Sequence, residues 1–240
     1  MNEQNKFKIS NDVFIIPLLF VFIIWFVYWI EIKFGFNFNK FGVLPRSISG
    51  LKGVLFTHFI HSDTKHLLHN SVPLLVLLMG LMYFYRKVAL KVLIIGGVVT
   101  GLLTWVIGRE SYHIGASGIV YLLFSFVFFS GIIKRHYRLV AMSLVTIFLY
   151  GSMIWYVFPI KEGMSWEGHL AGFITGILMA LAYRKIGLVK EKYVFSQTEF
   201  DDMFDEEGNY IEPEIDEEIS DEVEVNFRVN YMYKEKKEEE

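Results

Sequence analysis

The stretch Gly115-Ala116-Ser117-Gly118-Ile119-Val120-Tyr121-Leu122-Leu123-Phe124, which stays apolar as far as Ile133, decides how this chain is read. Its run from Ile119 is too apolar for a helix facing water, and the charged pair Lys134-Arg135 ends it. Lipid offers backbone amides no partner but each other, so such a segment crosses a membrane as a helix. Ser117 then stands at the mouth of a membrane helix. Polar groups there are costly, and by default they point to function.

Outward from this segment the pattern repeats. About 20 apolar residues cross a hydrocarbon core of ~30 Å. On that measure the sequence predicts an all-α polytopic membrane protein with six transmembrane helices, over 13–30, 67–85, 88–107, 119–133, 139–158 and 170–183. The breaks fall at Arg86-Lys87, Arg109-Glu110, Lys134-Arg135, residues 159–167, and Arg184-Lys185. The first run is long enough to span and has no small-residue cleavage site after it, so it reads as a helix and not a signal peptide. The fourth span is short: 117–133 covers about 25 Å at a rise of 1.5 Å per residue. If Lys134 marks one interface, Ser117 lies below the other, and the loop 108–116 must dip into the protein. Irregular backbone at that depth is tolerated only where it lines a cavity. Hydrolysis needs such a cavity to be wet.

Composition agrees. Of 240 residues, 53% are hydrophobic, and mean hydropathy is +0.39; both are high for a soluble domain. There is no cysteine, which excludes disulfides and thiolate metal sites. The net charge of −3 joins two unlike parts: residues 1–192 hold 19 Lys+Arg and 8 Asp+Glu, residues 193–240 hold 4 and 18. Three regions follow: a cytoplasmic N-terminus over 1–12, a membrane domain over 13–186, and an acidic cytoplasmic tail over 187–240, expected to be largely disordered. Within the tail, 224–233 alternates like a strand and is a candidate for ordering against an unknown partner. With both termini in the cytoplasm, twelve Lys/Arg lie at cytoplasmic ends and seven outside, which fits the positive-inside rule. Five of the seven sit in the first long loop, residues 31–65, against the trend.

Three groups of residues carry chemistry. Gly115-x-Ser117-Gly118 offers a nucleophile, although small residues in this pattern also let helices pack closely. Gly168, Gly172 and Gly176 recur every four residues, so they share one helix face. His169 borders that stripe. If the stripe packs on the Ser117 helix, His169 comes within reach of the serine and can take its proton and later return it to a leaving amine. The other reading of His169 is an interfacial histidine bonded to a loop carbonyl. His66 and Asn70 are i and i+4 at the start of the second span and point the same way. Two such donors, with the Ser117 amide, suit an oxyanion hole. His58, His61 and Asp63 lie just upstream. Clustered histidines also bind metal, but Asp63 and Glu110 are the only nearby carboxylates, and no metal or other cofactor is expected. His69 faces elsewhere, His113 has no assigned role, and His136 belongs to a basic turn.

Taken together, His61-x-x-x-x-His66-x-x-x-Asn70, Gly115-x-Ser117-Gly118 and Gly168-His169-x-Ala171-Gly172-x-x-x-Gly176 resemble, in order, the motifs of rhomboid intramembrane serine proteases of the bacterial six-helix type. The resemblance covers about 13–186. It implies a rhomboid-like bundle, a Ser117–His169 dyad without an acidic third member, His66 and Asn70 beside the oxyanion, and Tyr121 packed on the His169 ring. Gly115, Gly118 and Gly172 support the site. The loop 159–167 would cap it, and the fifth helix would gate it laterally. Two departures stand out. The Trp-Arg of many rhomboid first loops is Pro45-Arg46 here, and His58 and His61 are one residue closer together than expected.

The expectation is therefore an integral membrane serine endopeptidase, in a bacterial inner (plasma) membrane, that cuts single-pass transmembrane proteins. Its partners are those substrates and the lipid bilayer, with no nucleic acid. The alternatives are a non-catalytic rhomboid-like adaptor that binds transmembrane helices, against which the intact Ser117 and His169 argue, and a transporter, against which the near absence of intramembrane charge argues.

Overall fold

The computed structural model describes residues 10–150, 155–161, 163–186, 198 and 200–211. By internal contacts the chain divides into two units, 1–191 and 192–240. Among its described residues the first contains seven α-helices: α1 (Asp12–Phe34), α2 (Gly53–Phe56), α3 (Thr64–Tyr85), α4 (Ala89–Ile107), α5 (Ser117–Lys134), α6 (Tyr137–Tyr150) and α7 (Trp166–Ala182). Among the described residues there is no strand, only isolated bridges such as Val43 with His113. Of the second unit, a short 3-10 turn (Asp201–Met203) and the Asp205–Asn209 turn are described. The alternating segment 224–233 lies outside the described residues.

Among the described residues four helices, α1, α3, α4 and α5, are long and apolar enough to cross a membrane. The other two expected spans are apolar but shorter, with α6 at 14 residues and α7 at 17. The expected fifth span, 139–158, differs most. Its C-terminal part is the 3-10 turn Trp155–Val157, with residues 151–154 between that turn and α6 outside the described set. Pro159 and the polar loop after it leave that end without the partners a continuing helix requires. The long first loop also carries more structure than expected: the turns Phe38–Phe41, Ile48–Gly50 and Thr57–Phe59, and the single-turn helix α2.

The centre of the bundle is α5. Two thirds of its span is buried, against 17% for α1 at the periphery. A helix that is apolar all round belongs in the middle, and α5 buries residues on every face, from Gly118 through Val127 to Gly131. Its main partner is α7. A β-carbon at Gly172 would lie 2.1 Å from the Gly118 carbonyl oxygen, and one at Gly176 would lie 2.4 Å from the Leu122 carbonyl oxygen. Only glycine allows the two backbones to come so close.

The first loop is pinned to α4. Arg46, with φ 54°, donates to the Gly108 carbonyl at 2.7 Å, and Trp105 Nε1 donates to the Ser47 carbonyl at 2.9 Å. Cations and donors at a helix C-terminus satisfy carbonyls that the helix leaves open. The Arg of Pro45-Arg46 thus acts on backbone.

Candidate active site

Ser117 is the first residue of α5, and His169 lies in the first turn of α7. The glycine contact between those helices brings the two side chains together: His169 Nε2 is 2.9 Å from Ser117 Oγ. The other ring nitrogen, Nδ1, lies 2.8 Å from the Tyr156 carbonyl oxygen. A carbonyl can only accept, so Nδ1 carries the proton and Nε2 is left bare to accept from the serine hydroxyl. That is the tautomer a general base requires. Tyr121, one turn after the serine, stacks on the imidazole with centroids 4.4 Å apart and planes 13° from parallel. The ring is therefore fixed on its edge by a hydrogen bond and on its face by an aromatic ring.

The pair faces a cavity of about 1520 Å³, lined among others by His66, Asn70, Ser117, Tyr121, Tyr156 and His169. The N-termini of α3, α5 and α7 all converge there. Amides in a helix's first turn have no partner within the helix, and the three positive dipole ends favour negative charge at this point.

Asn70 is buried, and among the described residues its amide nitrogen Nδ2 has no hydrogen-bond partner. A buried unpaired donor is costly, and this one points to a ligand acceptor. His66 is differently placed. Ser62 Oγ donates to Asp63 Oδ2 at 2.7 Å and lies 3.2 Å from His66 Nδ1. With the Ser62 proton spent on Asp63, Nδ1 of His66 is the donor to Ser62, and its Nε2 becomes a donor only when the ring is doubly protonated or Ser62 turns away. Asn70 is the stronger of the two candidate oxyanion donors.

The serine loop is held from behind. Gly115 has φ +114°, a region side chains avoid, and a β-carbon there would lie 2.7 Å from His66 Nε2. The Gly115 amide donates to the Thr57 carbonyl, and the Ala116 amide donates to His61 Nε2 at 3.3 Å. Burial pushes His61 down to a pKa of about 3, which keeps that nitrogen free to accept. His58 instead faces the Gly97 carbonyl of α4 at 3.1 Å. The closely spaced upstream histidines thus support the serine loop and α4. His69 is exposed at the cavity wall.

Several supports were not foreseen from sequence. Tyr156 contributes a backbone carbonyl, which no side-chain pattern reveals. Arg109 reaches Glu167 at 3.4 Å and donates to the Met164 carbonyl at 2.7 Å, with Glu167 only 1% exposed. His113 lies 2.6 Å from Ser165, the N-cap of α7. The one available signal was Ser165 itself, a good capping residue just before an apolar run.

Fold and site together define a helical integral membrane protein in which a serine and a histidine on neighbouring helices share a hydrogen bond beside a cavity. Comparison with known proteins gives the family. The Rhomboid domain matches residues 49–186, and the chain belongs to the rhomboid family. An uncharacterized protein of Mycobacterium tuberculosis is 33% identical over 177 residues, covering 68% of this chain and 72% of its own. An uncharacterized protein of Mycobacterium leprae is 30% identical over 193 residues, covering 72% and 74%.

Proposed function

We propose that this protein is an intramembrane serine endopeptidase working through a Ser117–His169 dyad. The observation that carries the reading is the 2.9 Å contact from Ser117 Oγ to a bare His169 Nε2 whose partner nitrogen is committed to the Tyr156 carbonyl. Ser117 Oγ attacks the scissile carbonyl as its proton passes to His169 Nε2. The oxyanion that forms accepts from the Ser117 amide and Asn70 Nδ2, with His66 beside them. The intermediate collapses as His169 returns the proton to the leaving amine. Water from the cavity, deprotonated in turn by His169, releases the acyl group and restores Ser117. The Tyr156 carbonyl orients the ring in place of a carboxylate.

The substrates are single-pass transmembrane proteins. A peptide bond must leave its helix to reach Ser117, so small or helix-destabilising residues near the cut favour cleavage. The topology that fits is six spans, α6 and α7 being the two short ones, in the bacterial inner membrane with both termini cytoplasmic and residues 187–240 as an acidic tail for a separate partner. Incubating purified protein in detergent with a model transmembrane substrate, beside Ser117→Ala, tests the reading. Specific fragments from the parent and none from the variant are expected. Binding without cleavage by the parent would leave the adaptor reading.

A further inference from the structure

We propose that His113 and Ser165 form a positioning clamp that locks the nucleophile's loop to the helix carrying the base, and so sets the Ser117–His169 distance. The inference rests on the catalytic reading above and adds two residues that line the cavity edge. Their side-chain bonds go to each other, to the Arg109 carbonyl and to the Gly168 amide, not to Ser117 Oγ or the His169 ring.

The two catalytic side chains come from segments 52 residues apart in sequence. The glycine contact fixes the separation of α5 and α7 but not rotation or sliding at their ends. His113 spans that end. Its Nε2 lies 3.1 Å from the Arg109 carbonyl oxygen. A carbonyl only accepts, so Nε2 carries the proton and Nδ1 is bare. Nδ1 then accepts from the Ser165 hydroxyl at 2.6 Å. Ser165 Oγ in turn accepts from the Gly168 amide at 3.3 Å, one residue before His169. The chain of bonds runs from the loop 108–116, through His113 and Ser165, into the first turn of α7.

Each end of this chain is anchored. His113 is 3% exposed. Its backbone exchanges both hydrogen bonds with Val43, and its carbonyl also accepts from Thr57 Oγ1 at 2.7 Å. It stands four residues before Ser117, with Gly115, at φ +114°, between them. Burial lowers the His113 pKa, which favours the neutral ring this arrangement needs. Arg109 and Glu167 make a second, parallel tie between the same two segments. A buried histidine with both nitrogens engaged, one by each of the segments that supply the catalytic pair, is placed to govern their register.

The sensitivity of catalysis to geometry makes the idea testable, since a displacement of 1 Å can cost ~10²-fold. His113→Ala and Ser165→Ala should lower kcat about ten- to hundredfold on a model transmembrane substrate and change KM less, because both residues only edge the cavity that receives substrate. Ser165→Thr keeps both the cap and the hydroxyl donor and should restore turnover. Spectra of protein labelled with 15N-histidine in micelles give a readout independent of turnover: His169 resonances should move in His113→Ala and Ser165→Ala and return in Ser165→Thr. Unmoved His169 resonances, or wild-type kcat in folded His113→Ala, would overturn the clamp. A parent protein that neither cleaves nor binds serine-directed probes would refute the proteolytic reading, and the His169 resonances alone would then decide the clamp.

Discussion

The carbonyl oxygen of Gly118 lies where a β-carbon at Gly172 would need to be, 2.1 Å from it. Backbone meets backbone at this point, next to Ser117 on one helix and one turn after His169 on the other. Gly172→Val should therefore force α7 away from α5 and lengthen the Ser117–His169 contact. The expected loss in turnover is about 10²-fold or more. Wild-type rates from a folded Gly172→Val protein would show that this contact does not set the catalytic geometry.

The nucleophile is the most direct test. A serine hydroxyl is weak without its base. A fluorophosphonate probe should label the parent, fail on Ser117→Ala, and label His169→Ala only slowly. Equal labelling of Ser117→Ala and the parent would remove Ser117 from the role.

Stacking on the base separates ring from hydroxyl. Tyr121 lies parallel to His169 at 4.4 Å, and such pairs contribute about 0.5–1.5 kcal/mol beyond burial. Tyr121→Phe keeps the face and should stay within a few-fold of the parent. Tyr121→Ala should fall by about tenfold as the imidazole gains freedom. Similar rates from the two variants would discount the stack.

Much of this was legible in the sequence, and the reason is local. Apolar runs ended by charged residues mark α1, α3, α4 and α5 within a few residues, because lipid forces each run to be a helix. The glycine stripe of α7 and the position of His169 beside it come from 3.6-residue periodicity alone. The features that escaped depend on long-range placement. Arg109 and Glu167 are 58 residues apart, His113 and Ser165 are 52 apart, and no local pattern joins either pair. The Tyr156 carbonyl belongs to the backbone. The C-terminal part of the expected fifth span looked helical because Trp155, Tyr156, Val157 and Phe158 are apolar. Apolar composition there marks a turn whose Val157 is buried beside the site.

The oxyanion donors should be unequal. Asn70 Nδ2 is buried without a partner among the described residues, whereas His66 is engaged with Ser62 through Nδ1. Loss of one donor typically costs ~10²–10³ in kcat. Asn70→Ala should approach that range, and His66→Ala should cost less. Undiminished kcat in the double variant His66→Ala/Asn70→Ala would reject the role for both.

The acidic tail supplies the last prediction. Residues 193–240 hold 18 Asp+Glu against 4 Lys+Arg, a density that opposes burial against an apolar core. Every residue assigned to the chemistry, from Thr57 at the back of the serine loop to Gly176 on α7, belongs to the first unit of the chain. Removal of the tail should therefore leave cleavage of a model substrate in detergent unchanged. Its effect should appear in cells, as altered abundance or lost partner binding. The opposing expectation is that the alternating segment 224–233 docks on the membrane domain and holds its helices together. A 1–192 truncation compared with full-length protein decides between them through two measurements, thermal midpoint and turnover. Matching values place the tail's role outside the chemistry. A lowered midpoint, or turnover slowed about tenfold, would make the tail part of the enzyme, since distant contacts act on rate only through the geometry they hold.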